Sequence, residues 1–265
     1  MASDLDYLGP IRNESTRFAS CLARVDPSAR VASCPEWDAA DLLWHLTEVQ
    51  MFWATIVRDR LDNYEAAEAQ KPDRPTAPSA ALALFDEATN ALLDALEQAP
   101  DDVAVWMWSP IQTAGFVARW QATEAAIHRV DAEIVLGERT PIDAALATDG
   151  IDALVRYQFG WLPDWAPAEA TGLFGAIETT DTGASLPFEL VHYEATSPST
   201  GKHYDEDVVV VRDGSTPASA FTVRGPAPEL ETWLFGRDPR SDAITSTGDA
   251  AVFARFEQVV RRGVE

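Results

Sequence analysis

FVARWQATEAAIHRVDAE, residues 116–133, decides how this chain is read. It contains no Gly or Pro, is rich in helix-favouring Ala and Glu, and repeats its apolar residues at helical spacing. Phe116, Trp120, Ile127, Val130 and Ile134 fall along one stripe, the core face of a long helix. Beside that stripe stand Glu124 and His128, four residues apart and therefore one turn above each other, with Asp131 continuing the row. An exposed Glu/His pair at this spacing is a common surface feature. At the edge of a core face, however, ionisable groups need partners. A carboxylate and an imidazole stacked this way ligate one divalent metal if another helix brings a third donor.

The second place to look is Trp37 to Leu46, where Asp38 is a good N-cap and Asp41 favours the first turn of a helix. That helix is predicted to run to about Arg60, with Leu42, Leu46, Val49, Trp53 and Ile56 as its buried stripe. His45 falls in the arc between Leu42 and Phe52. Together with Glu124 and His128 it supplies two nitrogens and one oxygen, a three-ligand set that leaves positions for water or substrate. Such a donor set suits zinc, and adjacency of the two helices is the condition it depends on.

Working outward, residues Asp4 to Val25 read as a first helix with Pro10 near its start, and Asp26 to Pro35 as a turn-rich connector. KPDRPTAP (71–78) is a proline-broken linker, after which Ser79 is read as the N-cap of a helix reaching Gln98. Residues 99–115 read as a loop or extended segment. Four long amphipathic helices make a four-helix bundle the economical fold of this half. Shorter helical pieces follow between Ile142 and Trp165.

Past Pro167 the texture changes. FELVHYEAT (188–196), DEDVVVVRD (205–213) and SAFTVRG (219–225) alternate or are β-branched, which predicts an antiparallel sheet. PELETWLFG (228–236) has Pro at its start and Gly at its end, the signature of a short helix, and Gly248-Asp249 precedes a last helix, 250–262. The expected organisation is a helical domain over 1–166 and a small α+β domain over 167–265.

Composition narrows the function classes. With 265 residues, 46% hydrophobic and 24% charged, the chain is that of a globular protein. A formal charge of −23 repels nucleic acid and anionic membrane, so neither is an expected partner. The acidic N-terminus shows no apolar secretory segment, which makes cytoplasmic the expected address. Cys21 and Cys34 are too few for a zinc ribbon or a disulfide framework and are read as reduced. His192 and His203, on expected strands, are not read as ligands, and Trp37, Trp44 and Trp53 are read as core.

Several of these stretches carry a family resemblance. CPEWDAADLLWHL (34–46) resembles the Cys-Pro-x-Trp opening of the mycothiol-dependent maleylpyruvate isomerase family, a branch of the DinB/YfiT-like metal proteins. RWQATEAAIHRVDAE (119–133) is similar to that family's Glu-x-x-x-His-Arg-x-Asp-Ala-Glu helix. ELETWLFGRDP (229–239) followed by Gly248-Asp249 resembles its C-terminal domain. The resemblance implies a DinB-like four-helix bundle in front and a sterol-carrier-like α+β domain behind. It implies a divalent metal, zinc before others, on His45, Glu124 and His128, and a low-molecular-weight thiol such as mycothiol as cofactor. A metal-bound thiol is deprotonated at neutral pH. Its addition to an activated cis double bond permits rotation before elimination, whereas an S-transferase stops at the adduct or displaces a leaving group.

Within that framework Asp131 and Asp41 are candidates to hold the outer nitrogens of His128 and His45. Arg119 and Arg129 are candidates to bind an acidic thiol or substrate. Arg237 resembles a family arginine that anchors a carboxylate substrate. The substrate class is a small electrophile. Two other readings compete with the thiol-dependent enzyme: a hydrolase using metal-bound water on the same bundle, and a non-catalytic metal- or lipid-binding module.

Overall fold

Helix α1 starts at Leu8 because Asp6 Oδ1 accepts the backbone N–H groups of Leu8 (3.0 Å) and Gly9 (3.3 Å), and it ends at Leu22, shorter than expected at both ends. Helix α2, Ala39–Asp59, begins as predicted: Asp38 Oδ1 accepts from Asp41 N at 2.9 Å and Asp41 Oδ2 accepts from Asp38 N at 3.1 Å, a reciprocal capping box. A single turn, α3 (Glu65–Glu68), precedes the proline-broken stretch. Helix α4 runs from Pro78 to Gln98 with Ala77 as its N-cap. Ser79 is therefore inside the helix rather than capping it, because Pro78 occupies the first helical position, where its missing N–H costs nothing. Helix α5, Ala114–Leu136, is the quoted stretch extended at both ends, from a Thr113 cap whose hydroxyl accepts from Phe116 N to Gly137 at φ 78°.

The computed structural model describes residues 5–214, 216–237 and 241–262. The chain forms two compact units, Met1–Thr140 and Pro141–Glu265. In the first, α1, α2, α4 and α5 pack on one another, chiefly α2 on α4 and α1 on α5. Phe18, Leu42, Leu46 and Phe85 lie at 0–1% exposure in a core they share with Val31 and Ala132. Phe116, Trp120, Ile127 and Val130 are buried as the stripe requires, and Ile134 is half-buried. A buried amide also ties the helices together: Gln50 Nε2 donates to Ser15 Oγ at 2.9 Å while Gln50 Oε1 accepts from Thr89 Oγ1 at 2.6 Å.

The second unit opens with α6 (Ala144–Ala153) and a π-helical turn, Leu154–Gln158. These pieces pack with α7 and the sheet, so the division falls before them rather than after residue 166. Five strands, β1 (Ala168–Thr179), β2 (Ser185–Thr196), β3 (His203–Val211), β4 (Phe221–Gly225) and β5 (Thr245–Gly248), form one sheet in the order β3-β2-β1-β4-β5. The expected antiparallel sheet is in fact mixed. β1, β2 and β3 form a meander, but the chain then crosses to the far side of β1, where β4 runs parallel to it. Helix α7, Ala227–Leu234, has Pro at its start and Gly236 at φ 71° past its end. Residues 238 and 239 of the motif there lie outside the described residues. Helix α8, Ala250–Arg262, lays Phe256 against Phe188 and Phe221 of the sheet, ring centroids 5.0 and 5.6 Å away.

The Gly248-Asp249 pair has a structural reason. Asp249 Oδ1 accepts from Ala251 N at 2.8 Å and so starts α8. Gly248 holds φ 103°, and a Cβ there would run into the Ala220 carbonyl oxygen and lie 2.8 Å from Phe221 Cα. Both obstacles are backbone and neither can rotate away. Gly248→Ala is expected to destabilise the protein by about 2 kcal/mol or more, read as a lowered midpoint in chemical denaturation. A midpoint equal to wild type would show that the β4–β5 pairing relaxes freely.

No helix among the described residues is long and apolar enough to cross a membrane.

Candidate metal centre

Helix α5 presents Glu124 and His128 on one face, and α2, which packs against it, presents His45. One ligand atom from each of the three lies within 4.8 Å of the others. His128 Nε2 and Glu124 Oε2 are 3.3 Å apart. Metal–nitrogen and metal–oxygen bonds of ~2.0–2.1 Å in a tetrahedral site place neighbouring donors ~3.3–3.4 Å apart, so this pair already stands at a ligand–ligand spacing. The imidazoles of His45 and His128 meet edge to face with centroids at 4.8 Å.

Each ligand is held by a neighbour. Asp131, fully buried, places Oδ2 2.9 Å from His128 Nδ1. An ionised Asp131 accepts a hydrogen bond from His128 Nδ1, which leaves Nε2, on the side of Glu124, as the atom that would bind a cation in place of its proton. Ser33 Oγ donates to the other oxygen of Asp131 at 2.5 Å. Trp120 Nε1 donates to Glu124 Oε1 at 2.9 Å, leaving Oε2 toward His128, and Trp108 packs edge-on against Trp120 at 4.9 Å. The indole of Trp37 lies 4.6 Å from the His45 ring and 6.3 Å from that of His128. Burial disfavours the charged imidazolium of His128, but its hydrogen bonds to Asp131 and Glu124 outweigh this and raise its pKa above the ordinary histidine value. Two nitrogens and one oxygen, one of the imidazoles fixed in its tautomer by a carboxylate, fit a divalent cation of the zinc class.

The other expected site residues are placed differently. Arg129 is corrected: at 2% exposure it cannot meet a diffusible thiol or substrate. Its Nε donates to Glu14 at 2.6 Å, and Nη1 donates to Glu133 at 2.9 Å and to the Thr140 carbonyl at 2.7 Å. Adjacent residues on a helix point about 100° apart, so being next to His128 in sequence turns Arg129 to another face. Asp41, expected behind His45, serves the start of α2 and accepts from Arg74 Nη1 at 2.7 Å. Arg119 is half-buried on α5, one turn and a half before Glu124. Arg237 follows α7 in the second unit, where its Nη1 donates to the Phe235 carbonyl at 2.8 Å. His192, on β2, stands between Asp205 and Asp207, with nitrogen–oxygen distances of 3.4 and 3.2 Å. Trp37, read from the sequence as core, is half-buried and packs both against the core cluster and against the ligand rings. The i,i+4 spacing of Trp120 and Glu124 was a signal for their pairing, whereas nothing in the sequence joins Ser33 to Asp131.

Fold and donor set together define a two-unit α and α+β protein with a candidate His/Glu metal centre on its helices. Residues 8–133 match the family model of the mycothiol maleylpyruvate isomerase N-terminal domain, and this part of the chain belongs to that family. Among solved structures, the crystal structure of the mycothiol-dependent maleylpyruvate isomerase aligns with a TM-score of 0.56 at 14% identity, over 93% of this chain and 95% of that one. A histidine-to-alanine mutant of the same enzyme aligns with a TM-score of 0.58 at the same identity and coverage. At that identity the likeness is one of fold. No curated protein matches the chain.

Proposed function

We propose that this chain is a metal-dependent isomerase that uses a low-molecular-weight thiol of the mycothiol type, with His45, Glu124 and His128 as the metal ligands. The observation that carries the reading is the meeting of those three ligand atoms within 4.8 Å, in a domain of the maleylpyruvate isomerase family. In this reading the first unit is a DinB-type bundle and the second is a sterol-carrier-like domain. A divalent cation, zinc by the chemistry of the donors, supplies acidity that makes a bound thiol nucleophilic at neutral pH.

The residues of the chain do the rest. Asp131 keeps the His128 hydrogen on Nδ1, so that Nε2 is the donor atom. Trp120 holds one oxygen of Glu124, and the other lies on the His128 side. Trp37 and Trp120 give the ligands apolar flanks, which excludes some water and strengthens the electrostatics of the site. The substrate is a small electrophile. A carboxylate on it calls for a cation, and Arg119 and Arg237 are the arginines we put forward for that role. Isomerisation is preferred to S-transfer because the structural relatives are isomerases. The address we put forward is the cytoplasm, where cysteines such as Cys21 and Cys34 stay reduced.

The test is conversion of maleylpyruvate to its trans isomer, followed with thiol and metal supplied separately. Turnover is expected only with both present, lost after chelation and restored by zinc. Full turnover without thiol or without metal would overturn the reading, as would a protein that neither carries nor takes up a divalent ion.

A further inference from the structure

The turn between α1 and α2 touches both candidate imidazoles and is itself tightly built. Val31 N donates to the Trp37 carbonyl (3.1 Å), Cys34 N to the Val31 carbonyl (3.1 Å) and Trp37 N to the Cys34 carbonyl (2.8 Å). An isolated antiparallel bridge joins Arg30 to Asp38, the residue that caps α2. Val31 anchors the turn at 0% exposure, in the core formed by Phe18, Leu42 and Leu46. From this fixed base two side chains reach the centre. Ser33 Oγ donates to Asp131, which holds His128, and the Trp37 indole lies against the His45 ring.

We propose that residues 31–37 form a clasp that positions both histidines and thereby sets the affinity of the centre for its metal. The proposal rests on the metal reading above. Ser33 acts at one remove. An Asp131 oxygen bound to a hydroxyl is kept from rotating, so its partner oxygen stays on His128 Nδ1 and the imidazole plane is fixed. Trp37 acts on His45 directly. A flat indole 4.6 Å from the ring leaves the imidazole few rotations and no room for water on that side. Both contacts come from a turn held by three backbone hydrogen bonds of its own, so the two imidazoles are set before any ion arrives. Pre-set ligands bind more tightly than ligands that must be ordered on binding. Ser33 and Trp37 are positioning residues in this account.

The experiment compares the full-length wild type with Ser33→Ala, Ser33→Thr, Trp37→Leu and Trp37→Phe. Zinc affinity is read by competition with a chromogenic chelator, the cobalt-substituted protein by its visible spectrum, and each apo protein by thermal melting. Ser33→Ala and Trp37→Leu are each expected to weaken zinc binding about 10-fold, the low end of what loss of an outer partner costs. The cobalt bands should shift while apo melting stays close to wild type. Ser33→Thr keeps the hydroxyl, and Trp37→Phe keeps an aromatic face, so both should recover most of the affinity. If Ser33→Ala and Trp37→Leu bind zinc within twofold of wild type, the clasp is overturned and the metal reading stands. The clasp is equally overturned if their affinity falls only in step with loss of folded protein. If wild type binds no zinc, the metal reading itself fails, and the two failures are thus told apart.

Discussion

A His128→Ala chain is expected to come through purification without metal under conditions that leave the wild type loaded. Its affinity should fall by more than the ~10–100-fold that loss of an outer partner costs, because the donor atom itself is gone. The fall has a second source in the surroundings. Asp131 is fully buried and divides its oxygens between His128 and Ser33, so the variant leaves one buried acceptor without that partner. A hydrogen bond to a charged group contributes ~1.5–3 kcal/mol, so without it the apo variant should also melt below apo wild type. The separate measure is what zinc does to melting. An ion at 100 times its dissociation constant stabilises the native state by about 2.7 kcal/mol, so wild type gains a clear upward shift and the variant none. Elemental analysis and a melt with and without zinc decide it. A variant that keeps wild-type metal content removes His128 from the ligand set.

Where a signal was local, the sequence carried it. The Asp38 cap of α2, the apolar stripe of α5, and the Pro and Gly that bracket α7 all act within four or so residues, and each is found where it was expected. The donor pair on α5 is legible for the same reason, since one helical turn guarantees that Glu124 and His128 are neighbours. The third donor needed tertiary packing. His45 was placed beside the pair by the chemistry of a donor set, and α2 does pack on α5.

The failures have equally particular causes. Strand β1, AEATGLFGAIET, hides its alternation behind small residues and a register shift between Ala170 and Leu173, so period-two reading passes over it. Strand β5 is four exposed residues and buries nothing that hydropathy detects. The parallel β1–β4 pair depends on where the chain goes after β3, and no local residue encodes that. Arg129, a candidate for an acidic thiol or substrate, is instead buried against Glu14, Glu133 and Thr140. Its spacing of four to Glu133 was the better guide. Ser33 meets Asp131 across nearly a hundred residues, and only the folded chain brings them together.

That Arg129–Glu133 pair belongs to a buried ionic cluster, which carries the largest expected stability effect away from the candidate centre. Glu133 is fully buried on α5 and accepts from Arg17 Nε at 2.8 Å, Arg129 Nη1 at 2.9 Å and Thr140 N at 2.7 Å. Arg17 and Arg24 continue the cluster to Glu138. Removing one partner of a buried ion pair costs ~3–5 kcal/mol, because the remaining charge stays desolvated. Here Arg129 retains Glu14 and the Thr140 carbonyl, and Arg17 is partly exposed, so the low end applies. Glu133→Gln is expected to lower unfolding free energy by about 3 kcal/mol at neutral pH. The sign of the pH dependence follows from the carboxyl itself. Burial opposes its ionisation, yet the bonds from Arg17 and Thr140 and the charge of Arg129 hold its pKa below the ordinary glutamate value. Its stabilisation is therefore complete above the unfolded-chain value of about 4.3 and is lost as pH falls through the lower folded value. The gap between wild type and Glu133→Gln should be widest near pH 7 and should close toward pH 3, as read by urea unfolding of the two proteins. A gap below about 1 kcal/mol at pH 7, or one that stays constant across that range, would mean that the cluster lends the fold no net ionic stability.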